Sequence, residues 1–145
     1  MKSLKLLLST LLLVTLLISC KKEATDPRPQ FVGTWTGTIS LVVPGLNSNT
    51  SKAESVTIST GTGNSNQIII MQAGSTITMT AVVNGNSYKY DEYTLSSSIG
   101  DISVSIKFNG TGTLTGGVIS ETGTITYTLA GVAYPGTWSS TLNKQ

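Results

Sequence analysis

Histidine is absent from this 145-residue chain, and cysteine occurs once, at Cys20. Without histidine the chain lacks the usual zinc ligand and cannot build the Ser–His or Cys–His pairs of the common nucleophilic enzymes. A single cysteine cannot form an intramolecular disulfide. These absences predict a protein that holds no metal and no cofactor.

Acidic side chains are the remaining candidates for acid–base chemistry, and they too are few. The segment after residue 30 has five of them: Glu54, Asp91, Glu92, Asp101 and Glu121. Asp91 and Glu92 are adjacent, so in a strand they point to opposite faces, whereas a glycosidase needs two carboxyls that face one another. The other three lie beside predicted turns, where a solvated charge is the ordinary explanation, and no Asp-x-Asp-x-Asp spacing indicates calcium. We therefore interpret the chain as a non-enzyme.

Charged residues make up only 11% of the chain, and their balance excludes one class of partner. Lys2 and Lys5 account for the net charge of +2, because the rest of the chain has seven basic and seven acidic residues. The chain has no basic patch, so nucleic-acid binding is not predicted.

The chain also has no apolar run long enough for a membrane span. The longest run, Leu6–Ile18, has 13 residues. As a helix it would reach about 20 Å at ~1.5 Å per residue, whereas the hydrocarbon core of a bilayer is roughly 30 Å thick. Lys2 and Lys5 precede the run, which is the order of an export signal. Residues 1–19 are therefore predicted to be a cleaved signal peptide.

The predicted signal ends in Leu17-Ile18-Ser19-Cys20, and this sequence resembles the lipobox of bacterial lipoproteins. The resemblance implies that Cys20 becomes the new N-terminus, carries diacylglycerol on its sulfur and makes the membrane a partner. One acyl chain binds a bilayer only marginally, whereas two or three form a lasting anchor. Lys21 stands where inner-membrane retention would require Asp. The resemblance therefore favours the outer membrane, on its periplasmic face or at the cell surface.

Residues 20–30 have the composition of a tether between the lipid and a folded domain. Residues 21–30 (KKEATDPRPQ) carry five charges, two prolines and no apolar period. Pro27 and Pro29 favour extended polyproline II. The folded domain is therefore predicted to cover residues 31–145.

From Phe31 onward, large apolar residues alternate with threonine and serine, which is typical of half-buried antiparallel strands. This period predicts strands over Thr34–Val43, Ser55–Thr60, Gln67–Ala73, Thr76–Val83, Ser87–Leu95, Asp101–Phe108, Gly112–Thr115, Thr124–Leu129 and around Trp138. Eight to ten short strands with nothing to cover a sheet face predict an all-β fold. The strands would close into an antiparallel up-and-down barrel or pack as a sandwich.

The connections between these strands carry hairpin signals. Asn84-Gly85, Asn109-Gly110 and Gly116-Gly117 predict two-residue turns, and Glu121-Thr122-Gly123 predicts a short glycine-containing loop. Pro44–Lys52 is the longest irregular stretch and is predicted to be a loop at the mouth of a barrel.

The two ends of the domain resemble each other, which favours a barrel. Residues 31–40 (FVGTWTGTIS) and 134–143 (YPGTWSSTLN) match at Gly, Thr, Trp and a later Thr. The first and last strands of an up-and-down barrel are neighbours, so similar sequences suit a shared seam. Coincidence in a chain rich in threonine and glycine is the alternative.

Gly33-Thr34-Trp35 opens the first predicted strand and is followed by a meander of hairpins. In these respects the domain resembles lipocalin-like (calycin) barrels, including the small lipocalin-like lipoproteins of Gram-negative bacteria. The resemblance implies that Gly33 and Trp35 close the barrel floor, with Trp35 a structural plug and not a ligand contact. Two family features are missing. Residues 90–93 (YDEY) replace the Thr-Asp-Tyr turn, and no arginine follows Arg28 to pack over the tryptophan.

Aromatic side chains are the candidate binding residues: Tyr88, Tyr90, Tyr93, Tyr127, Tyr134 and Trp138. Tyr88 and Tyr90 are predicted to share one face of a strand, with Tyr93 on the other face. These side chains could line a cavity or form a stacking surface for a sugar or peptide. The alternative is that they only fill the core and its edges.

Two functions agree with these residues. In the first, the barrel encloses a small apolar or amphipathic ligand. In the second, the barrel or sandwich is packed solid and binds an envelope protein or a glycan through its outer face or loops. A cavity of roughly a few hundred Å³ lined by the aromatic residues would favour the first, and a filled interior the second. We expect the first.

Overall fold

A computed structural model describes residues 26–99 and 102–145. The predicted signal peptide, Cys20, most of the tether and Asp101 lie outside the described residues. The described chain has short 3₁₀ turns at Arg28–Gln30 and Pro44–Leu46 and nine strands. The strands are β1 (Gly33–Val43), β2 (Ser48–Thr60), β3 (Gln67–Gln72), β4 (Thr78–Asn84), β5 (Ser87–Tyr90), β6 (Tyr93–Ile99), β7 (Ile102–Thr115), β8 (Val118–Leu129) and β9 (Val132–Lys144).

The strands form one antiparallel sheet that closes on itself. Their order is β5-β4-β3-β2-β1-β9-β8-β7-β6, and β5 also pairs with β7. Since β5 and β6 follow one another along the same edge of β7, together they occupy one of eight positions around a barrel. The prediction of an all-β, closed antiparallel barrel is confirmed. Among the described strands, the outer edge of β6 and, on the side away from β3, the first residues of β4 stay unpaired.

The first and last strands are neighbours, as the similarity of the two ends of the domain predicts. β1 pairs with β9 from Trp35 opposite Lys144 to Val42 opposite Thr137. The seam of the barrel therefore lies between these two strands.

The chain between β5 and β6 contains a bulge. Lys89 pairs with Thr111 of β7, and four residues later Tyr93 pairs with Phe108, only three residues back along β7. The extra residue on the β5–β6 side reverses the alternation of side chains beyond it. The prediction that Tyr93 faces away from the other two tyrosines is therefore wrong, and Tyr93 faces the interior.

Two predicted turns lie inside long strands instead. Asn109-Gly110 belongs to β7, and Glu121-Thr122-Gly123 belongs to β8. These glycines make room for the indole of Trp138: a Cβ atom at Gly110 would lie 2.5 Å from Cζ2 of that ring, and one at Gly123 would lie 2.3 Å from its Nε1. The indole Nε1 donates to the Asn109 carbonyl at 2.9 Å. Glycine here indicates close side-chain packing against a strand.

The remaining turn predictions have mixed outcomes. The Gly116-Gly117 turn is confirmed, with positive φ at both residues. The turn predicted at Asn84-Gly85 lies one residue later, at Gly85-Asn86, because Asn84 still pairs with Ser87. The predicted loop over residues 44–52 is wrong: one 3₁₀ turn suffices, and β2 then runs from residue 48.

One end of the barrel is packed solid. The segment before β1 lies across it. Phe31 is fully buried, and the side-chain amide of Gln30 donates to the Gly85 carbonyl at 2.7 Å. The indole of Trp35 donates to the Phe31 carbonyl at 2.7 Å, and the ring of Tyr88 meets Phe31 edge-on at 5.3 Å. None of the helical turns in the described part of the chain is long and apolar enough to cross a bilayer.

Gly123→Ala should destabilise the barrel by about 1–3 kcal/mol, because the new methyl group overlaps the Trp138 ring and the Asn109 carbonyl. Urea unfolding followed by tryptophan fluorescence measures the change. Gly116→Asn is the control: that residue lies in open space at φ +59°, a conformation that asparagine tolerates. Equal unfolding midpoints for Gly123→Ala and the wild type would contradict the packing described.

Candidate functional site

The barrel interior holds a cavity of about 280 Å³ beyond the packed end. Most of its wall is apolar, and the lining residues come from strands on every side of the barrel. They are Ile39, Glu54, Val56, Ile70, Gln72, Ile77, Met79, Tyr90, Tyr93, Leu95, Ile106, Phe108, Glu121, Ile125, Tyr127 and Trp138. A preformed apolar hollow with a few polar groups is the usual character of a small-molecule site.

The structure brings together four of the six aromatic candidates. Tyr90, Tyr93, Tyr127 and Trp138 all line the cavity. Tyr88 lies in the packed core beside it. Tyr134 is half-buried outside the lining, where its ring lies against Gly45.

Three of the aromatic lining residues form a contiguous wall. The rings of Phe108 and Trp138 are stacked, with centroids 4.5 Å apart. Tyr90 meets both rings edge-on, at 5.5 Å and 5.8 Å. Stacked and edge-to-face contacts are the arrangements that neighbouring aromatic rings favour.

Trp35 and Gly33, which the lipocalin resemblance places at the barrel floor, lie at the packed end. Trp35 is buried and does not line the cavity. The ammonium of Lys144 lies 5.4 Å from the centre of its ring, within the range of a cation–π contact. Gly33 has a φ of +139°, and a Cβ there would approach the Lys144 side chain to 3.1 Å. A lysine thus packs over the tryptophan, where the resemblance implies an arginine.

Two carboxyls line the cavity, the buried Glu121 and the half-buried Glu54, and the sequence analysis misplaced both. Glu121 was expected beside a turn in solvent, yet it lies within β8 and is only 4% exposed. Glu54 was also expected beside a turn, yet it lies within β2 and lines the same cavity. The signal that could have found Glu121 is its place in the inward series Ile119, Glu121, Gly123, Ile125 and Tyr127, which extends the predicted period of two backwards.

Two tyrosine hydroxyls hold Glu121 in place. The hydroxyls of Tyr88 and Tyr90 both donate to its Oε1, the latter at 2.5 Å. Burial raises the pKa of both tyrosines well above the usual value, and the nearby Glu121 carboxylate raises it further. The two hydroxyls therefore stay protonated and keep donating across the physiological pH range.

Glu54 reaches its own hydrogen-bond donor across a neighbouring strand. It pairs with Gly37 of β1, which has no side chain to block the way, and its Oε1 accepts a hydrogen bond from the Ser140 hydroxyl on β9. Burial raises the pKa of the Glu54 carboxyl. The Ser140 hydrogen bond opposes this effect, and repulsion by Glu121 adds to it.

No lysine or arginine lines the cavity among the described residues. The ion pairs of the described chain lie elsewhere, between Arg28 and Asp26 and between Lys107 and Glu92. The described residues also contain no group of three carboxylate, histidine or cysteine side chains that could hold a metal ion. The cavity therefore presents acidic acceptors within an apolar enclosure.

The cavity is bordered by β4 and β6, two strands with a gap between them in place of a hydrogen-bonded ladder. β4 pairs with β5 from Ala81 onward, while β6 pairs only with β7. Met79 of β4 and Leu95 of β6 lie on the two sides of this gap, and both side chains line the cavity. Asp91 closes the inner end of the gap: its amide donates to the Thr80 carbonyl at 2.9 Å, and its carboxylate accepts from the Thr80 hydroxyl at 2.6 Å.

Comparison with known proteins gives a structural likeness only. No family model matches the chain, and a search of curated proteins returns no match. Among solved structures, the barrel is similar to a protein of unknown function from the DUF3598 family of Nostoc punctiforme. The TM-score is 0.49 and the sequence identity 12%, over 81% of this chain and 48% of that one. This chain thus spans about half the length of that protein, and a likeness of this size indicates neither family nor function.

Glu54→Gln should change how the free energy of unfolding depends on pH. Because folding raises the pKa of Glu54 above its ordinary value of 4.5, the folded state holds this proton more tightly than the unfolded chain. The associated stability is present below pH 4.5 and is lost as the pH rises through the higher folded pKa. Relative to the wild type, the variant should therefore gain stability with rising pH, which urea unfolding at several pH values measures.

Glu92→Gln makes the same change at an exposed carboxyl paired with Lys107 and controls for the altered net charge. A constant stability difference between Glu54→Gln and the wild type from pH 4 to pH 8 would show that burial does not perturb this carboxyl.

Proposed function

We propose that this protein binds one small apolar or amphipathic molecule inside its barrel. The observation that carries the proposal is the cavity of about 280 Å³ with its aromatic wall and its two carboxyls. The competing hypothesis, an interaction module that works through its outer face, predicts a filled interior. The cavity therefore favours an enclosed ligand.

The volume limits the ligand to a small molecule. An apolar cavity of roughly 150 Å³ takes up one benzene molecule. The present cavity is about twice as large, which suits a single ring with a short substituent. The apolar wall would hold the ring, and the carboxyls would hold a polar group.

We further propose that the site binds its ligand without transforming it. One oxygen of Glu121 already accepts two tyrosine hydroxyls, and one oxygen of Glu54 accepts the Ser140 hydroxyl. A glycosidase encloses a sugar ring on each side of the bond it cleaves, and room for about one ring does not allow this. The pair of carboxyls is accordingly assigned to recognition.

The sequence supports an address for this activity. The lipobox-like residues that end at Cys20 favour a lipid-anchored protein of the outer membrane. Gly33-Thr34-Trp35, at the start of the first strand, favours a lipocalin-like barrel. The tether of residues 20–30 would hold the barrel close to the bilayer. A binding protein so placed would meet its ligand in the cell envelope.

Val56→Phe should abolish ligand binding, because Val56 is 5% exposed and lines the cavity, so a larger side chain there occupies the ligand's space. Val82→Phe makes the same change on the outer face of the neighbouring wall, where Val82 is 41% exposed, and should bind like the wild type. Native mass spectrometry of the purified full chains would detect a co-purifying small molecule. Titration calorimetry with 2-phenylethanol would measure affinity directly. Equal binding by the two variants would place the ligand elsewhere.

Cys20→Ser should prevent lipid attachment, since the thioether forms on the cysteine sulfur. Cells grown with labelled palmitate should label the wild-type chain and not the variant, and the variant should leave the membrane fraction. Ser19→Ala is the control, because alanine is also a small residue of the kind that signal-peptide cleavage requires. Labelling of the Cys20→Ser chain would rule out this anchor.

A further inference from the structure

We propose that the ligand carries a protonated amino group, which binds between Glu54 and Glu121 while its apolar part fills the aromatic cavity. This inference rests on the proposed function, since it names the class of molecule that the same cavity would take. Its arguments come from hydrogen bonding, charge and the chemistry of the lining.

The first argument is an oxygen of Glu121 that the protein leaves to a ligand. The side chain is 4% exposed, and within the described residues hydrogen bonds reach it only at Oε1. No fully shielded side-chain oxygen or nitrogen of these residues lacks a partner. Oε2 therefore borders the cavity, where an ammonium group can donate to it.

The second argument is the charge of the cavity. Glu54 and Glu121 repel one another, and no lysine or arginine of the described residues lines the space between them. A carboxylate withdrawn from water is costly unless it is paired with a cation. A bound ammonium group would attract both carboxylates, whereas an anionic ligand would add to the repulsion.

The third argument is the aromatic part of the cavity wall. Tyr90, Phe108 and Trp138 stand together in the wall, and aromatic rings favour a nearby cation through the negative potential of their faces. Two carboxyls offer too few ligands for calcium, which takes six to eight oxygens. The lining as a whole suits an organic cation with an apolar body.

The test compares two probes of equal size that differ in charge: 2-phenylethylammonium and the neutral 2-phenylethanol. Each has one ring and a two-carbon arm, which matches the cavity. Titration calorimetry on the purified full chain at pH 7.5 should give an affinity about tenfold or more higher for the amine, as charge-assisted hydrogen bonds in an enclosed site are roughly twice as strong as neutral ones.

Two variants assign the preference to the carboxyls. Glu121→Gln and Glu54→Gln each preserve shape and remove one charge, so in each the ratio of the two affinities should fall toward one. Glu92→Gln, outside the cavity at a side chain 57% exposed, should keep the wild-type ratio. If Glu121→Gln fails to fold, Glu54→Gln decides.

The pH dependence of binding to the wild type gives a readout that needs no variant. Folding raises the pKa of Glu54, and protonation of this carboxyl removes a charge that attracts the ammonium group, so affinity for the amine should fall as the pH is lowered. The titratable groups that interact with Glu54 are Glu121 of β8 and Tyr88 of β5. Tyr90, Tyr93 and Tyr127 line the same cavity, while Lys52 of β2 is exposed and outside the lining. Titration calorimetry with the amine at several pH values measures this change, and the uncharged alcohol should bind with the same affinity over that range.

The outcomes separate this inference from the proposed function. Equal affinity for both probes, or a preference that survives in Glu54→Gln and Glu121→Gln, would overturn the amine and leave a neutral ligand in the cavity. Absence of binding by either probe, with no molecule co-purifying, would overturn the enclosed ligand and the amine together. A preference that both Gln variants reduce, with an affinity for the amine that falls at low pH, would support both.

Discussion

Closure of this barrel depends on a short stretch of hydrogen bonding. β5 pairs with β7 only from Ser87 opposite Thr113 to Lys89 opposite Thr111, yet without these pairs the sheet would have two open edges and no enclosed interior. The bulge at residues 91–92 lets the chain leave β4 there and continue along β7 as β6. The same bulge turns Tyr93 inward, so one local irregularity both ends the closed ring and completes the cavity wall.

The barrel interior combines an apolar packed end with a pair of carboxyls. At the packed end, Phe31 and Trp35 exclude water and tie the N-terminal segment to the barrel. A short distance away, Glu121 is buried with two tyrosine donors, and Glu54 reaches across a glycine to a serine. Glu121 is buried and Glu54 is half-buried. A carboxyl withdrawn from water without a cationic partner lowers stability, so a cation bound by both would raise it. Ligand binding and folding stability are therefore linked in this barrel.

Much of the fold could be predicted from the sequence, because alternation of apolar and polar residues is a local property. The strands and the all-β class follow from that alternation, and the seam follows from the similarity between the two ends of the domain. The site is harder to predict because it depends on register. Tyr93 changes face because of one extra residue before it. Gly110 and Gly123 leave room for the ring of Trp138, which lies on another strand, β9. Glu121 resembles a turn residue when read with its own neighbours, and only the facing strands reveal that it is buried.

The gap between β4 and β6 is the part of the barrel wall that is held by the fewest hydrogen bonds. Widening it breaks few ladder hydrogen bonds, since β6 is bonded along one side only and the contact between Asp91 and Thr80 marks where the two strands part. Every other pair of neighbouring strands is held by a hydrogen-bonded ladder. A ligand of the proposed class would then enter the cavity from the side of the barrel, between Met79 and Leu95, and not past the packed end.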